Sequence, residues 1–134
     1  MAVIAPNSEH YRAYFLRWVE GCTPAVIALC AAWCDTCGEV SATLERIAEA
    51  RPDMLFFWLD IEDDSEICGD IDVENFPTLA IFRGERLLHY GVSLPSEGTV
   101  RRLVDEIVAR PEIGASAPQA VLDLPQRLRA RLPD

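Results

Sequence analysis

Apolar positions along the chain alternate between helical spacing and short unbroken runs, and this rhythm sets out the elements before any chemistry is considered. Residues 8–20, SEHYRAYFLRWVE, place Tyr11, Phe15, Trp18 and Val19 at helical spacing behind Ser8 as an N-cap, and GCTP at 21–24 breaks the segment. The run AVIALCA at 25–31 is too apolar for an exposed strand and predicts a central strand covered on both faces. From Cys34 to about Glu49 the stripe Val40, Leu44, Ile47 and Ala48 predicts a second helix, ended at Arg51-Pro52-Asp53. MLFFWLDI at 54–61 predicts another buried strand, and the acidic stretch 63–70 a short helix or turn. Thr78–Phe82 and Arg86–Tyr90 flank the turn residues Arg83-Gly84-Glu85 as a hairpin. A last helix starts at Ser96 or Thr99, carries Val100, Leu103, Val104, Ile107 and Val108 on one side, and stops at Pro111.

The order is therefore α-β-α-β-α-β-β-α. Two strands joined through a helix form a parallel pair, whereas a hairpin is antiparallel. The expected fold is α/β, with a central mixed sheet flanked by helices on both faces. The 134-residue chain supports one well-buried core and is too short for two ordinary domains. That domain is expected over residues 1–110. Residues 111–134 differ in kind: PEIGASAP at 111–118 is a linker, and AVLDLPQRLRARL at 120–132 an amphipathic tail interrupted at Pro125. The tail could dock on the domain, bind a partner or stay mobile. No internal repeat occurs.

Charge narrows the class of partner. The chain carries 22 acidic and 12 basic residues, every basic one an arginine, for a net charge of −10. Phosphate-backbone binding needs clustered basic residues, so nucleic acid is excluded as a partner. Eight acids and no base lie between Asp60 and Glu74; such a run is either a solvated face or a negative rim that steers basic partners. The longest mostly apolar run, Pro24 to Trp33, is about half the ~20 residues a membrane span needs. The segment MAVIAPNSEHYR has no basic region followed by an apolar one and a cleavage site, so the expected compartment is the cytoplasm, with no membrane partner.

Five cysteines are present, and Cys34 and Cys37 stand two residues apart in CAAWCDTCG, between an apolar strand and an amphipathic helix. A dithiol at such a junction acts by thiolate attack on a substrate disulfide, followed by resolution of the mixed disulfide with the second thiol. Unpaired backbone N–H groups and the dipole at a helix start stabilise a thiolate. Cys34 is accordingly the expected nucleophile, and Cys37, one turn in, the resolving thiol. Trp33 offers an apolar surface beside the sulfur. Zinc, the rival for a Cys-x-x-Cys pair, needs four ligands, and no second pair at zinc spacing exists. Two packed thiols without chemistry are the remaining alternative. Cys30 is expected to fill core space rather than act as a third redox thiol. Cys68 follows several acids that discourage a thiolate, and His10 and His89 are expected on the surface.

Taken together, A-x-W-C-x-x-C after an apolar strand, a buried strand with an acidic turn, then F-P-T before a hairpin resemble thioredoxin from about Ala25 to Val108. The resemblance implies a thioredoxin fold and protein thiol–disulfide exchange through a redox-active Cys34–Cys37 disulfide, with neither metal nor organic cofactor. It also implies a cis bond before Pro77 beside the disulfide, substrate contact at the Phe76 backbone, and close substrate approach at Gly91 after the last strand. Trp33 and Phe76 would form the apolar groove.

Several positions depart from that family. Its usual Gly-Pro insert is here Asp35-Thr36. The Asp35 carboxylate beside Cys34 either disfavours the thiolate, making a stronger reductant, or serves helix capping. The family's buried acid and lysine, which assist proton transfer at the resolving cysteine, are replaced by Ala28 and Trp58, so slow resolution is expected. Asp60 either substitutes for them or ends its strand in water. Ala42 stands where the family has a helix-kinking proline. The expected activity is a cytoplasmic thiol–disulfide oxidoreductase in cell redox homeostasis, a reductant of protein disulfides, basic ones among them. Its electrons would come from a dithiol protein such as a thioredoxin reductase. The alternative is a binding or chaperone-like module with little turnover.

Overall fold

The computed structural model describes residues 3–5, 9–21, 23–31, 35–62, 64–68, 71, 78–92, 96–109 and 117–130. Five strands, β1 (Val3–Ile4), β2 (Pro24–Cys30), β3 (Leu55–Asp60), β4 (Thr78–Arg83) and β5 (Arg86–Val92), form one sheet in the order β1-β3-β2-β4-β5. The pairs β1–β3 and β2–β3 are parallel, while β2–β4 and the β4–β5 hairpin are antiparallel. Among the described residues six helices accompany the sheet: α1 (Tyr11–Gly21), α2 (Asp35–Ala50), α3 (Ser65–Cys68), α4 (Glu97–Val108), α5 (Gln119–Leu122) and α6 (Leu124–Arg129).

The apolar run at 25–31 becomes the middle strand, buried at every position from Pro24 to Cys30. Successive side chains of a strand point to opposite faces, so β2 feeds two cores at once. Ala25, Ile27 and Leu29 join Phe15 and Trp18 of α1, Ile67 of α3, and Leu124 and Leu128 of α6. Val26 and Ala28 join Val40, Leu44 and Ile47 of α2 with Val100 and Val104 of α4. The mixed sheet with helices on both faces is thus realised. The turn residue Gly84 has φ 58°, a left-handed conformation glycine adopts without cost, and its carbonyl accepts a buried 2.7 Å bond from Trp18 Nε1. That bond ties α1 to the hairpin.

Two features differ from the sequence reading. β1 was not anticipated; two residues carry no periodicity, and only their parallel pairing with Phe56 and Phe57 makes them a strand. The last strand runs on through Val92, so Gly91 lies within it, opposite Leu79. Within the acidic stretch expected to form a short helix or turn, the described residues Ser65–Cys68 are helical. The tail docks on the domain, one of the alternatives left open by its sequence: α5 and α6 bury Val121, Leu124 and Leu128 in the α1-side core, and the Tyr11 hydroxyl donates to the Leu128 carbonyl. Ser8 and Cys22 fall outside the described residues. Among the described residues no helix is long and apolar enough to cross a membrane.

Candidate active site

The site is built where β2 gives way to α2. Cys30 ends β2, its carbonyl accepts the Ile61 N–H at 2.8 Å, and its side chain is wholly buried. As an even-numbered position of β2 it follows Val26 and Ala28 onto the α2 side of the sheet. Cys37 lies in the first turn of α2 and is 2 % exposed. It begins the stripe that continues through Val40, Leu44 and Ile47, so it faces the same interlayer space. The two sulfurs are in disulfide contact, with Cα atoms 5.8 Å apart, inside the span a disulfide requires.

Cys30 is buried, as core filling requires. Its sulfur also lies in contact with that of Cys37, a pairing that the spacing of Cys34 and Cys37 alone does not suggest. A signal for the pair was available in the sequence: the parity of β2 and the phase of the α2 stripe both aim at one space.

Other expected residues are placed as follows. Asp35 is exposed at the first position of α2. Trp33, Cys34, Phe76, Pro77 and the Thr36 side chain lie outside the described residues. A Cβ added at Gly91 would meet only the His89 ring, at 3.6 Å, an ordinary contact, so packing alone does not demand glycine there.

Proton-handling groups are arranged unlike the thioredoxin pattern. Ala28 is buried and pairs in register with Trp58, and both belong to the α2-side core. Apolar contact therefore fills the space where an acid and a lysine would stand. Asp60, the register neighbour of Cys30, is buried and does not end its strand in water. Its Oδ1 accepts the Glu62 N–H at 2.8 Å, and its own N–H donates to Asp64 Oδ2 at 2.9 Å. Cys68, a buried free thiol, is pushed up to about 11 by burial and then by repulsion from Asp64 and Asp60. It is a protonated bystander at neutral pH. His89 is half-buried rather than on the surface, its Nε2 has no hydrogen-bond partner among the described residues, and burial lowers its pKa. Among the described residues no group of three or more His, Cys, Asp or Glu side chains is placed to hold a metal.

Comparison with known proteins matches the family model described as Thioredoxin to residues 7–105. A thioredoxin from Alicyclobacillus acidocaldarius subsp. acidocaldarius is 31% identical over 75 residues, covering 55% of this chain and 71% of that one. Thioredoxin-2 from Saccharomyces cerevisiae is 30% identical over 59 residues, 44% of this chain and 57% of the yeast protein, so little more than half its length is spanned. Among solved structures, a poplar thioredoxin h superposes with TM-score 0.67 at 15% identity, over 81% of this chain and 97% of that one. At that identity the superposition shows the fold alone.

Proposed function

Because the chain belongs to the thioredoxin family, a family of thiol–disulfide oxidoreductases, we propose that it reduces protein disulfides through Cys34 and Cys37. Cys34 attacks the substrate disulfide and forms the mixed disulfide. Cys37 then attacks Cys34 and releases the substrate thiol. Trp33, Phe76 and Pro77 shape an apolar groove for the extended substrate, and Gly91 leaves room for its backbone. Asp35 and Thr36 occupy the loop between the sulfurs. No metal or organic cofactor takes part.

The observation that carries this reading is the place of Cys37. It sits in the first turn of α2, the helix that follows the middle strand of a thioredoxin sheet, three residues after Cys34 in the sequence. A cysteine so placed is competent for exchange. Electrons come from a dithiol donor such as a thioredoxin reductase, in a compartment that keeps thiols reduced, the cytoplasm. The acidic segment between Asp60 and Glu74 favours basic substrates, so the rate with a basic substrate falls as salt rises.

The test is reduction of insulin by the pre-reduced protein, with Cys37→Ser used to trap partners. Turnover by the wild type, its loss in Cys34→Ser, and mixed disulfides on Cys34 in Cys37→Ser are the expected results. A second reading is favoured by one specific observation, the apolar Ala28–Trp58 pair that replaces the proton relay. In that reading the fold is a binding module with little turnover. A folded, pre-reduced wild type that leaves insulin intact, together with a Cys37→Ser variant that traps nothing, selects it.

A further inference from the structure

We propose that Cys30 is a third redox thiol, which takes Cys37 out of the Cys34–Cys37 disulfide and returns Cys34 to the free thiolate. The inference rests on the reading of Cys34 and Cys37 as the exchanging pair and adds a step to it. Both Cys30 and Cys37 are buried, at 0% and 2% exposure, and stand 5.8 Å apart at Cα on two regular elements, the end of β2 and the first turn of α2. Sulfurs held by a strand and a helix need no loop rearrangement to meet. A sulfur forms one disulfide at a time, so a bond between Cys30 and Cys37 leaves Cys34 without its partner.

The step balances without an outside oxidant. Substrate reduction leaves the Cys34–Cys37 disulfide, with the two electrons already given to the substrate. The Cys30 thiolate attacks Cys37 Sγ, the Cys30–Cys37 bond forms, the Cys34–Cys37 bond breaks, and Cys34 leaves as thiolate. The proton lost from Cys30 is matched by the one Cys34 can take up. The total of one disulfide and one thiol is unchanged. Exchange of this kind runs towards the bond between the poorer leaving groups and releases the better one. Thiols sealed in apolar surroundings leave poorly, whereas a cysteine preceding a helix leaves well. Cys30 and Cys37 are both sealed, and Cys34 immediately precedes α2 in the sequence.

The consequence is functional. Once oxidised, the protein presents a single active thiol at Cys34, with its resolving partner sequestered. A mixed disulfide formed in that state persists until Cys37 is freed by reduction. The same chain is a dithiol reductant when reduced and a monothiol when oxidised.

The bond is read by oxidising the full-length protein with glutathione disulfide, alkylating the remaining thiols, and cleaving after Trp33 with chymotrypsin. That cut separates Cys30 from Cys34 and Cys37. Disulfide-linked peptides joining Cys30 to Cys37, with Cys34 alkylated, are the expected result for the wild type. Cys34→Ser, which leaves both buried sulfurs in place, is expected to form the same link. Cys30→Ala is expected to hold Cys34 and Cys37 joined on one peptide. An oxidised wild type with Cys34 and Cys37 joined and Cys30 alkylated, together with a Cys34→Ser protein that stays fully reduced, overturns the relay. Insulin reduction by that same wild type would leave the proposed function standing. A Cys30–Cys37 link in a protein that neither reduces insulin nor traps on Cys34 overturns both, since the bond is then only structural.

Discussion

Cys68 shows at the scale of one residue how burial and charge keep a thiol out of the chemistry. Its ordinary value of 9.0 is raised to about 11, first by burial and then by Asp64 and Asp60. Between those values the unfolded chain releases the Cys68 proton while the folded chain keeps it. The folded state then binds more protons, so stability falls as pH rises through that window. Denaturant titrations of wild type and Cys68→Ala are expected to diverge there, with the variant losing less stability from pH 9 to 11. Parallel curves would mean that Cys68 is not the group responsible. Gly91 makes the opposite case, a residue that the packing does not require. Glycine within a strand is less stable than alanine by about 0.5–1 kcal/mol, and the added Cβ would meet only the His89 ring. Gly91→Ala is therefore expected to hold or raise stability while slowing insulin reduction. Unchanged turnover would remove the role in substrate approach.

Elements reveal where local pattern suffices and where it does not. Helix α4 is the favourable case: Ser96 Oγ accepts the Thr99 N–H at 3.3 Å and donates to Thr99 Oγ1 at 2.7 Å. Ser96→Ala is expected to cost about 1 kcal/mol, read as a shift of the denaturant midpoint with unchanged slope. That cap, the stripes of α1, α2 and α4, the central strand and the hairpin turn were all legible, because each is set by neighbours within a few residues. Val3 and Ile4 were not, since their strand exists only through β3, some fifty residues away in sequence. The β5 end was misjudged for a similar reason. Gly91 ends a pattern locally, yet Leu79 holds it in the ladder. The candidate site divides the same way. The Cys34–Cys37 spacing is local and was read directly. The approach of Cys30 to Cys37 joins two faces, and it emerges only when the parity of β2 is combined with the phase of α2.

At the scale of the whole molecule, the open question is whether residues 117–130 are an appendage or part of the cooperative unit. Sequence separates them from the body by a linker, and their arginines could have served only to offset the acidic charge. The structure gives those arginines specific work: Arg127 donates to the Ile67 carbonyl of α3 at 3.2 Å, and Arg129 lies over the Phe15 ring at 5.5 Å. Polar contacts at or near the surface contribute little on their own. The apolar contribution is larger, because Leu124 and Leu128 are fully buried against α1 and α3 in the core that β2 also fills. Truncating such a leucine to alanine typically costs about 2–5 kcal/mol, a large part of the roughly 5–15 kcal/mol that holds a domain folded. Leu128→Ala is therefore expected to lower the stability of the entire protein in one cooperative transition. Leu122→Ala, at a side chain 39% exposed on the same short helical pair, should change it by less than about 0.5 kcal/mol. If α5 and α6 were a detachable tail, Leu128→Ala would leave the main transition in place and add a separate one at low denaturant. A single transition displaced to lower denaturant makes the tail a structural wall of the thioredoxin domain, closing the face opposite α2 and the Cys30–Cys37 pair.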